Sequence, residues 1–432
     1  MLSRRDLVTV GLAGLSLPRL LAAAPPKVKS CIFVYQYGGL SQLDSWDPKP
    51  DAPAELRGPY KAIATSIPGF RVGELMPKLA ARADHYAVIR SMSHGVPIHD
   101  IANRMLLAGK SLPAADDPAF GSIIAKLKPP TANVPPYVWL QKFGGGAAPP
   151  EANYVSGGSL GAANAPLVLG ASHDDNPGTT GKNYRAFEES SLSASRLAGR
   201  KNLLASLDHV DAYRAKAFDL VTGPGARAAF DLEKEPPALR DRYGRNPLGQ
   251  NLLLARRLVE AGVRLVSVVA WCGLKPGEKF LSVETWDMHG NAGVSIFGDG
   301  WNGLGFALPR CDAAVAALLD DLRERGLLES TLVVLVGEFG RTPKVSPGGG
   351  AIGRDHWPRC YSAMLAGGGV RGGLVYGASD KQAAYVKDDP VSPEDFAATL
   401  LHAMGVPPET RLAPDGFTKP ASTGRVIHEL LS

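Results

Sequence analysis

Residues 332–343, LVVLVGEFGRTP, contain the pattern on which the fold prediction rests. An apolar run, too short for a helix and rich in β-branched residues, ends at a glycine and is followed by charged side chains. Similar runs occur at 31–37, 87–92, 137–140, 264–271 and 361–365. Nearly continuous apolar runs of this length are typical of strands covered on both faces, as in a parallel sheet.

Helical patterns separate these runs. Residues 311–325 show a broad apolar face and are followed by Gly326, a residue suited to a helix C-terminus. Further helices are predicted at 76–82, 248–261 and 393–404. Alternation of strands and helices predicts an α/β sandwich with a mostly parallel sheet.

Residues 143–237 differ in composition from the rest of the chain. They are rich in Gly, Ala, Ser and Asn, and they contain no strong strand pattern. We predict that this segment is an insertion, or cap, over the edge of the sheet. Long excursions of this kind often shape access to a site.

The first 24 residues have the layout of an export signal. Arg4 and Arg5 precede an apolar stretch that ends in Ala22, Ala23 and Ala24. The paired arginines are typical of the twin-arginine route, which carries folded proteins. We therefore expect recognition by the twin-arginine translocase, a periplasmic or extracellular location, and one α/β domain over 25–432. The stretch is short and rich in Gly and Ala, so a permanent membrane span is not expected.

Composition excludes several other classes. With 45% hydrophobic and 21% charged residues and a net charge of +5, the chain fits neither a disordered nor a nucleic-acid-binding protein. The four cysteines lie far apart and form no C-x-x-C pair, which argues against a zinc ribbon. The glycine-rich patches lack the strand–GxGxxG–helix context of a dinucleotide site.

Metal-ligand residue types follow several of the predicted strands. In open α/β sheets, ligands bind at the carboxyl ends of strands, so residues at these positions are candidates for a site. A short Asp–His pair is most often part of a turn or a surface hydrogen bond, but here carboxylates follow four strands and histidines follow three. The candidates are Asp44, Asp47, His94, His99, Asp100, Asp287, His289, Glu338, Asp355 and His356.

This mixture of side chains indicates one or two divalent metal ions. Imidazole with carboxylate suits Zn, Mn or Fe, whereas carboxylates alone suit Mg or Ca. Such a centre would neutralise an anionic ester and could activate water at neutral pH. Arg341 or Arg354 could then hold the ester oxygens, or either could form an ordinary surface ion pair.

Six stretches resemble a known family, catalogued as domain of unknown function 1501, whose members resemble the alkaline phosphatase and sulfatase superfamily. The resemblance implies an alkaline-phosphatase-like three-layer sandwich. The stretches are GGLSQLDSWDPKP (38–50), WDMHGN (286–291), GEFGRTP (337–343), GRDHWP (353–358), AGGGVRGGLVYGASD (366–380) and VSPEDFAATLLHAMG (391–405).

The resemblance also implies roles for particular residues. Asp287 and His289 correspond to one ligand pair, and His356 corresponds to a late ligand. Glu338 stands where relatives have Asp-His or Asp-Asn, but Phe339 follows it, so one expected ligand is missing. The first strand lacks the usual terminal aspartates, and Asp44 or Asp47 could substitute for them from the following loop.

The segment HDIANRMLLAGK, residues 99–110, resembles the sulfatase segment C-x-P-S-R-x-x-L-x-T-G-R. In that register His99 replaces the cysteine that becomes formylglycine, so formylglycine chemistry is not expected. His99 could bind metal, act as an acid or base, form a covalent phospho-intermediate, or be a hydrogen-bonded residue at a helix start.

These observations predict an exported metal-dependent hydrolase of a phosphate or sulfate ester, with a sulfated or phosphorylated glycan among the candidate substrates. The alternative is a catalytically degenerate binding or scaffold protein with the same fold. His99 and Arg341 are the predicted catalytic residues. The predicted metal ligands are Asp44, Asp287, His289, Glu338, Asp355 and His356.

Overall fold

In the computed structural model, a central sheet of eight strands organises the chain. The structure describes residues 28–130, 134–141, 156–170, 172–180, 228–281, 285–290, 294–347, 350–412 and 419–432. The strands of the sheet are β1 (Ser30–Tyr35), β2 (Tyr86–Met92), β3 (Tyr137–Leu140), β4 (Leu167–Leu169), β5 (Leu265–Val269), β6 (Thr331–Val336), β7 (Tyr361–Ala366) and β8 (Val375–Tyr376).

The strand order is β8–β2–β7–β6–β1–β5–β3–β4, and every pairing is parallel except the two made by β7. This confirms the prediction of a mostly parallel sheet. Because β7 runs the other way, it begins where its neighbours end, with Tyr361 opposite Met92 at the end of β2. The residues just before β7 therefore reach the same edge of the sheet as the loops that follow the parallel strands.

Helices cover both faces of the sheet. One group contains α3 (Pro237–Tyr243), α4 (Pro247–Glu260) and α5 (Leu304–Glu324), and the other contains α1 (His99–Ala108), α2 (Phe120–Leu127) and α6 (Pro393–Ala403). Every residue of β1, β5 and β6 is buried, which requires cover on both sides. The predicted three-layer α/β architecture is thus confirmed.

Local signals explain where the helices begin. Asn246 caps α4 by accepting the Gly249 N–H, and Pro247 occupies the first helical position. Ser392 and Asp395 form a reciprocal capping box at the start of α6. Helix α5 begins seven positions before the predicted residue 311, because it continues through Pro309, which sequence patterns treat as a boundary.

Short strand pairs and single helical turns lie outside the central sheet and its main helices. The short strand pairs are Ala62–Ala64 with Arg71–Gly73, Gly340–Arg341 with His356–Trp357, Ser346–Pro347 with Ile352–Gly353, and Ala378–Ser379 with Val386–Asp388. Single-turn helices occupy Ala54–Arg57, Pro77–Ala80 and Pro177–Thr180, and 3-10 turns occupy Ala83–His85, Gly158–Leu160, Ala162–Asn164, Leu232–Lys234, Leu328–Ser330 and His428–Leu430.

The segment 143–237 is only partly described. Within it, strand β4 pairs in parallel with β3 and forms one edge of the sheet. The sequence of this segment shows no strong strand pattern, because the three residues of β4, LVL, are too few to give one. Its remaining role as a cap stays a prediction, and the export signal at 1–24 lies outside the described residues. No helix in the described ranges has both the length and the apolar character needed to cross a bilayer.

Candidate metal centre

Five connections meet at one edge of the sheet and form a cluster of polar side chains. Gly38 follows β1, His99 follows β2 at the start of α1, and Glu338 follows β6. Residues 287–289 follow β5, and His356 precedes the antiparallel β7. The site thus lies where the carboxyl ends of the parallel strands meet, as the sequence predicts.

Three histidines converge on one carboxylate oxygen. The distances from Asp287 Oδ1 are 2.8 Å to His289 Nε2, 3.0 Å to His356 Nε2 and 3.4 Å to His99 Nε2. The Nε2 atoms of His289 and His356 are 2.8 Å apart. The ligand atoms of His99, Asp287 and His356 all lie within 4.8 Å of one another, so this group could bind a metal ion.

In each histidine, the other ring nitrogen, Nδ1, contacts an oxygen atom of another residue. The Nδ1 atoms lie 2.6 Å from Glu338 Oε1 for His99, 2.8 Å from Asp355 Oδ1 for His289, and 2.8 Å from the Pro97 carbonyl for His356. A carbonyl oxygen only accepts, so His356 must donate from Nδ1. This arrangement, with Nδ1 held by an oxygen and Nε2 directed inward, is typical of metal-binding histidines.

The donor set fits a cation. If Nδ1 of His289 and His356 each carry the ring proton, both Nε2 lone pairs and the Asp287 carboxylate point at one another. A positive charge between them, either a proton or a metal ion, is needed to hold them so close. His99 Nε2 is also buried and has no hydrogen-bond partner. Imidazole with a single carboxylate is a donor set that suits Zn or a related transition metal.

Glu338 supports His99 rather than pointing into the cluster. Its side chain is buried and accepts the Gly38 N–H at 2.8 Å and 3.1 Å, the Tyr35 hydroxyl at 3.2 Å, and His99 Nδ1. The expected ligand therefore lies on the far side of His99 from the convergence point.

The close approach of these ionisable side chains, together with their burial, shifts their pKa values. Burial lowers the pKa of His99, but the nearby carboxylates of Asp287 and Glu338 prevail and raise that pKa to about 9. Burial raises the pKa of Asp287, yet Arg341 and the three histidines hold it well below its usual range. For His94, which lies 2.7 Å from the Glu338 carbonyl, burial prevails and the pKa is lowered.

Two glycines allow the loops to approach this closely. Gly38 has a φ of +110°, and a Cβ there would lie 2.4 Å from the backbone nitrogen of Asp287. A Cβ at Gly353 would lie 2.0 Å from the carbonyl carbon of His289. Both contacts are shorter than any side chain tolerates, so only glycine lets these loops bring Asp287 and His289 into place.

The family comparison agrees with the motifs. The model of the family described as "Protein of unknown function (DUF1501)" matches residues 28–431. This chain belongs to the DUF1501 family. The match spans the whole sheet and all five connections of the metal centre. No curated protein matches the DUF1501 chain in sequence.

Several solved structures resemble this DUF1501 protein. A phosphonate monoester hydrolase, SpPMH from Silicibacter pomeroyi, has 12% identity and a TM-score of 0.40, covering 94% of this chain and 76% of that one. The PsFucS1 sulfatase from Pseudoalteromonas sp. has 13% identity and a TM-score of 0.40, covering 100% and 77%. A Vibrio parahaemolyticus protein in the alkaline phosphatase superfamily has 11% identity and a TM-score of 0.37, covering 88% and 68%.

Four of the predicted site residues of this DUF1501 protein lie elsewhere than expected. Glu338 and Asp355 contact the outer Nδ1 atoms of His99 and His289 instead of the point where the Nε2 atoms converge, and the other two are Asp44 and Arg341. Asp44 is buried against Arg354, whose Nε lies 2.8 Å from Asp44 Oδ2, and it does not reach the histidines. Arg341 is also buried, and its guanidinium donates to Asp287 at 2.5 Å and to the carbonyls of Gly38, Gly39, Trp286 and Arg354. Both arginines therefore bind loops of the protein itself.

Three groups in the site escaped the sequence reasoning. The Pro97 carbonyl has no sequence signal, because any residue provides a carbonyl. The Phe339 ring packs against His99 and His356, with centroids 4.9 Å and 4.6 Å away. The Tyr37 ring meets His99 edge-on at 6.0 Å. The only sequence signal for any of these three groups is the position of Phe339, directly after Glu338.

Proposed function

We propose that this protein is an exported, metal-dependent hydrolase of a phosphate or sulfate ester. Asp287, His289 and His356 hold one divalent transition-metal ion, and His99 faces the reacting centre. The observation that carries the proposal is the convergence of three Nε2 atoms on Asp287 Oδ1 while an oxygen holds each Nδ1. Mononuclear hydrolytic sites commonly combine three such ligands with an open position.

A bound metal ion would supply Lewis-acid polarisation of the ester and activation of water. The chain's own residues hold the metal ligands in place and transfer protons. His99, held through Nδ1 by buried Glu338, can give or take a proton at Nε2. Asp355 orients His289. Arg341, instead of the predicted contact with substrate, fixes Asp287 and the loop after β1.

Export is part of the same proposal. Arg4 and Arg5 with the following apolar stretch support passage through the twin-arginine translocase to the periplasm or beyond. Transport of a folded chain permits metal loading before export. The substrate is an anionic ester, and a sulfated or phosphorylated glycan belongs to this class.

The test is metal-dependent turnover of an ester panel by the mature chain. We expect hydrolysis with Zn or Mn, loss on chelation, and a decrease of about 1000-fold or more in His356→Ala. Glu324→Gln is the control, because its side chain is 53% exposed in the last turn of α5, beside the start of β6 at the opposite edge. Turnover that survives both chelation and His356→Ala would contradict the proposal.

A second candidate is a binding or scaffold protein that keeps the site without turnover. One observation favours it: Arg341 already pairs with the Asp287 oxygen on which the histidines converge. A protein that takes up metal yet hydrolyses no sulfate ester, phosphate monoester or phosphate diester would support this alternative.

A further inference from the structure

His94 lies in the connection between β2 and α1, and the sequence makes it a candidate ligand. Its ring is half-buried and meets the Tyr361 ring edge-on, with 5.6 Å between the centroids. Both ring nitrogens contact backbone atoms, one of Glu338 and one of Val96, and not Asp287. The role of His94 must therefore come from what these two backbone segments do.

The partners of the His94 ring fix its tautomer. The Val96 N–H donates to Nδ1 at 3.2 Å, so Nδ1 carries no proton. Nε2 lies 2.7 Å from the carbonyl oxygen of Glu338, which can only accept, so Nε2 carries the proton and donates it. The ring thus ties the turn after β2 to the turn after β6.

The turn after β6 supports His99. The backbone carbonyl of Glu338 accepts from His94, while its carboxylate lies 2.6 Å from His99 Nδ1. The next residue, Phe339, packs its ring against His99 and His356, with centroids 4.9 Å and 4.6 Å away. A displacement of this backbone would therefore move both the carboxylate and the aromatic ring that contact His99.

The turn after β2 supports His356. Val96, whose N–H binds the His94 ring, directly precedes Pro97, and the Pro97 carbonyl lies 2.8 Å from His356 Nδ1. The His94 N–H also donates to the Pro358 carbonyl at 2.9 Å, two residues after His356. A side chain that binds the N–H two residues further on fixes a turn, as Asn and Asp do in other loops. His94 thereby fixes the turn that presents the Pro97 carbonyl.

We propose that His94 is a positioning residue that sets the directions of His99 and His356 together. It acts through the Glu338 carboxylate and the Pro97 carbonyl, which hold the Nδ1 atoms of these two histidines. The inference rests on the proposed function, because it assigns a role at the same metal centre. It differs in that the directions of the two rings can be measured without metal or substrate.

Two amide substitutions separate the two contacts of His94. The Asn side chain reaches about as far as histidine Nδ1, so His94→Asn still accepts the Val96 N–H but loses the Glu338 carbonyl. The Gln side chain reaches about as far as Nε2, so His94→Gln still donates to that carbonyl but loses Val96. In crystals of the metal-free proteins, we expect a displaced His99 ring in the Asn variant and a displaced His356 ring in the Gln variant. His94→Ala should displace both.

Metal binding provides a second readout. Each of these variants should bind zinc about tenfold more weakly than the native protein, since groups that hold ligand histidines commonly contribute this much. Each should also change the visible absorption spectrum of bound Co(II), which a loss of stability alone does not alter in folded protein. His85→Asn is the control. His85 is a partly buried histidine at the other end of β2, with Nε2 3.0 Å from Arg323 Nη1, and its variant should keep the native affinity and spectrum.

Failure of this inference is distinguishable from failure of the proposed function. Native ring positions in His94→Asn and His94→Gln, or a native zinc affinity and cobalt spectrum in these variants, would overturn the positioning role even if esters are hydrolysed. A native protein that hydrolyses no ester would overturn the proposed function instead. The metal-free crystal structures would still decide the role of His94 in that case.

Discussion

Gly38 joins two parts of the metal centre. Its N–H binds Glu338, and its missing side chain leaves room for the backbone of Asp287. We expect Gly38→Ala to displace Asp287 and weaken metal binding at least tenfold. Gly69→Ala is the matched control, since Gly69 also has a positive φ, +81°, but has no atom within 4 Å of its would-be Cβ.

Calorimetric metal titration of both variants checks this prediction. In Gly69→Ala, only the left-handed backbone is penalised, at about 1–2 kcal/mol, and metal affinity should be native. Equal metal affinity in Gly38→Ala and the native protein would show that the close approach of the two loops is unimportant for the site.

Asp44 provides a second prediction. Its carboxylate faces buried Arg354, so Asp44→Asn leaves a buried guanidinium without its counter-charge. Breaking such a pair destabilises a protein by about 3–5 kcal/mol. Denaturant unfolding should show this loss, while the folded variant should still bind one metal ion. A lost ion in a folded Asp44→Asn protein would restore the original prediction that Asp44 is a ligand.

The residue types of the site were predictable from the sequence, but their directions were not. His99, Asp287, His289 and His356 follow or precede strands that end at one edge, and the sequence places them there. Whether Glu338 faces the cluster or supports His99 depends on side-chain direction after a turn. Burial of Arg341 depends on contacts with four carbonyls from distant loops, which no local pattern encodes.

At the scale of elements, the long buried strands were predicted well because both of their faces need apolar side chains. The apolar run at 137–140 coincides with β3, and the apolar run that begins at residue 332 overlaps β6. Strand β4 was missed because three apolar residues in a Gly- and Ala-rich segment carry little periodicity. The reversed direction of β7 was also invisible, since burial patterns do not report strand direction.

The helices of one layer meet through a buried ionic cluster, which supports a prediction on pH. Glu235, next to α3, lies 2.8 Å from Arg256 of α4, and Arg256 lies 2.9 Å from Asp321 of α5. Burial raises the pKa of Glu235, but Arg256 and Arg257 prevail and lower it. The folded protein therefore binds this proton more weakly than the unfolded chain.

A lowered pKa means that the stabilisation is present above the unfolded value of 4.5 and is lost as the pH falls through the folded value. We expect Glu235→Gln to lower the free energy of unfolding at pH 7 by about 2–3 kcal/mol. The difference from the native protein should shrink below about pH 4.5. Urea unfolding of both proteins across pH 3–7 measures this difference in the free energy of unfolding. A difference that does not change with pH would contradict a lowered pKa for Glu235.

For the molecule as a whole, the export proposal predicts that the paired arginines are essential. Replacing Arg4 and Arg5 together with lysine should trap a folded precursor inside the cell, because the twin-arginine route reads this pair. Cell fractionation followed by immunoblotting measures how much of the protein remains inside the cell and how much is exported. Replacing Arg19 with lysine is the control and should leave export intact. Unchanged export of the doubly substituted precursor would contradict the twin-arginine assignment.

The central claim is that five connections of this sheet form a metal centre, and the ion itself provides the most direct measurement. Mature protein without a histidine tag is exposed to Zn or Mn, freed of excess metal, and analysed for metal per chain and for anomalous scattering in crystals. The account predicts one ion bound by Asp287, His289 and His356, and its loss in His356→Ala. A folded native protein that retains no ion, or binds it away from these residues, would contradict the account.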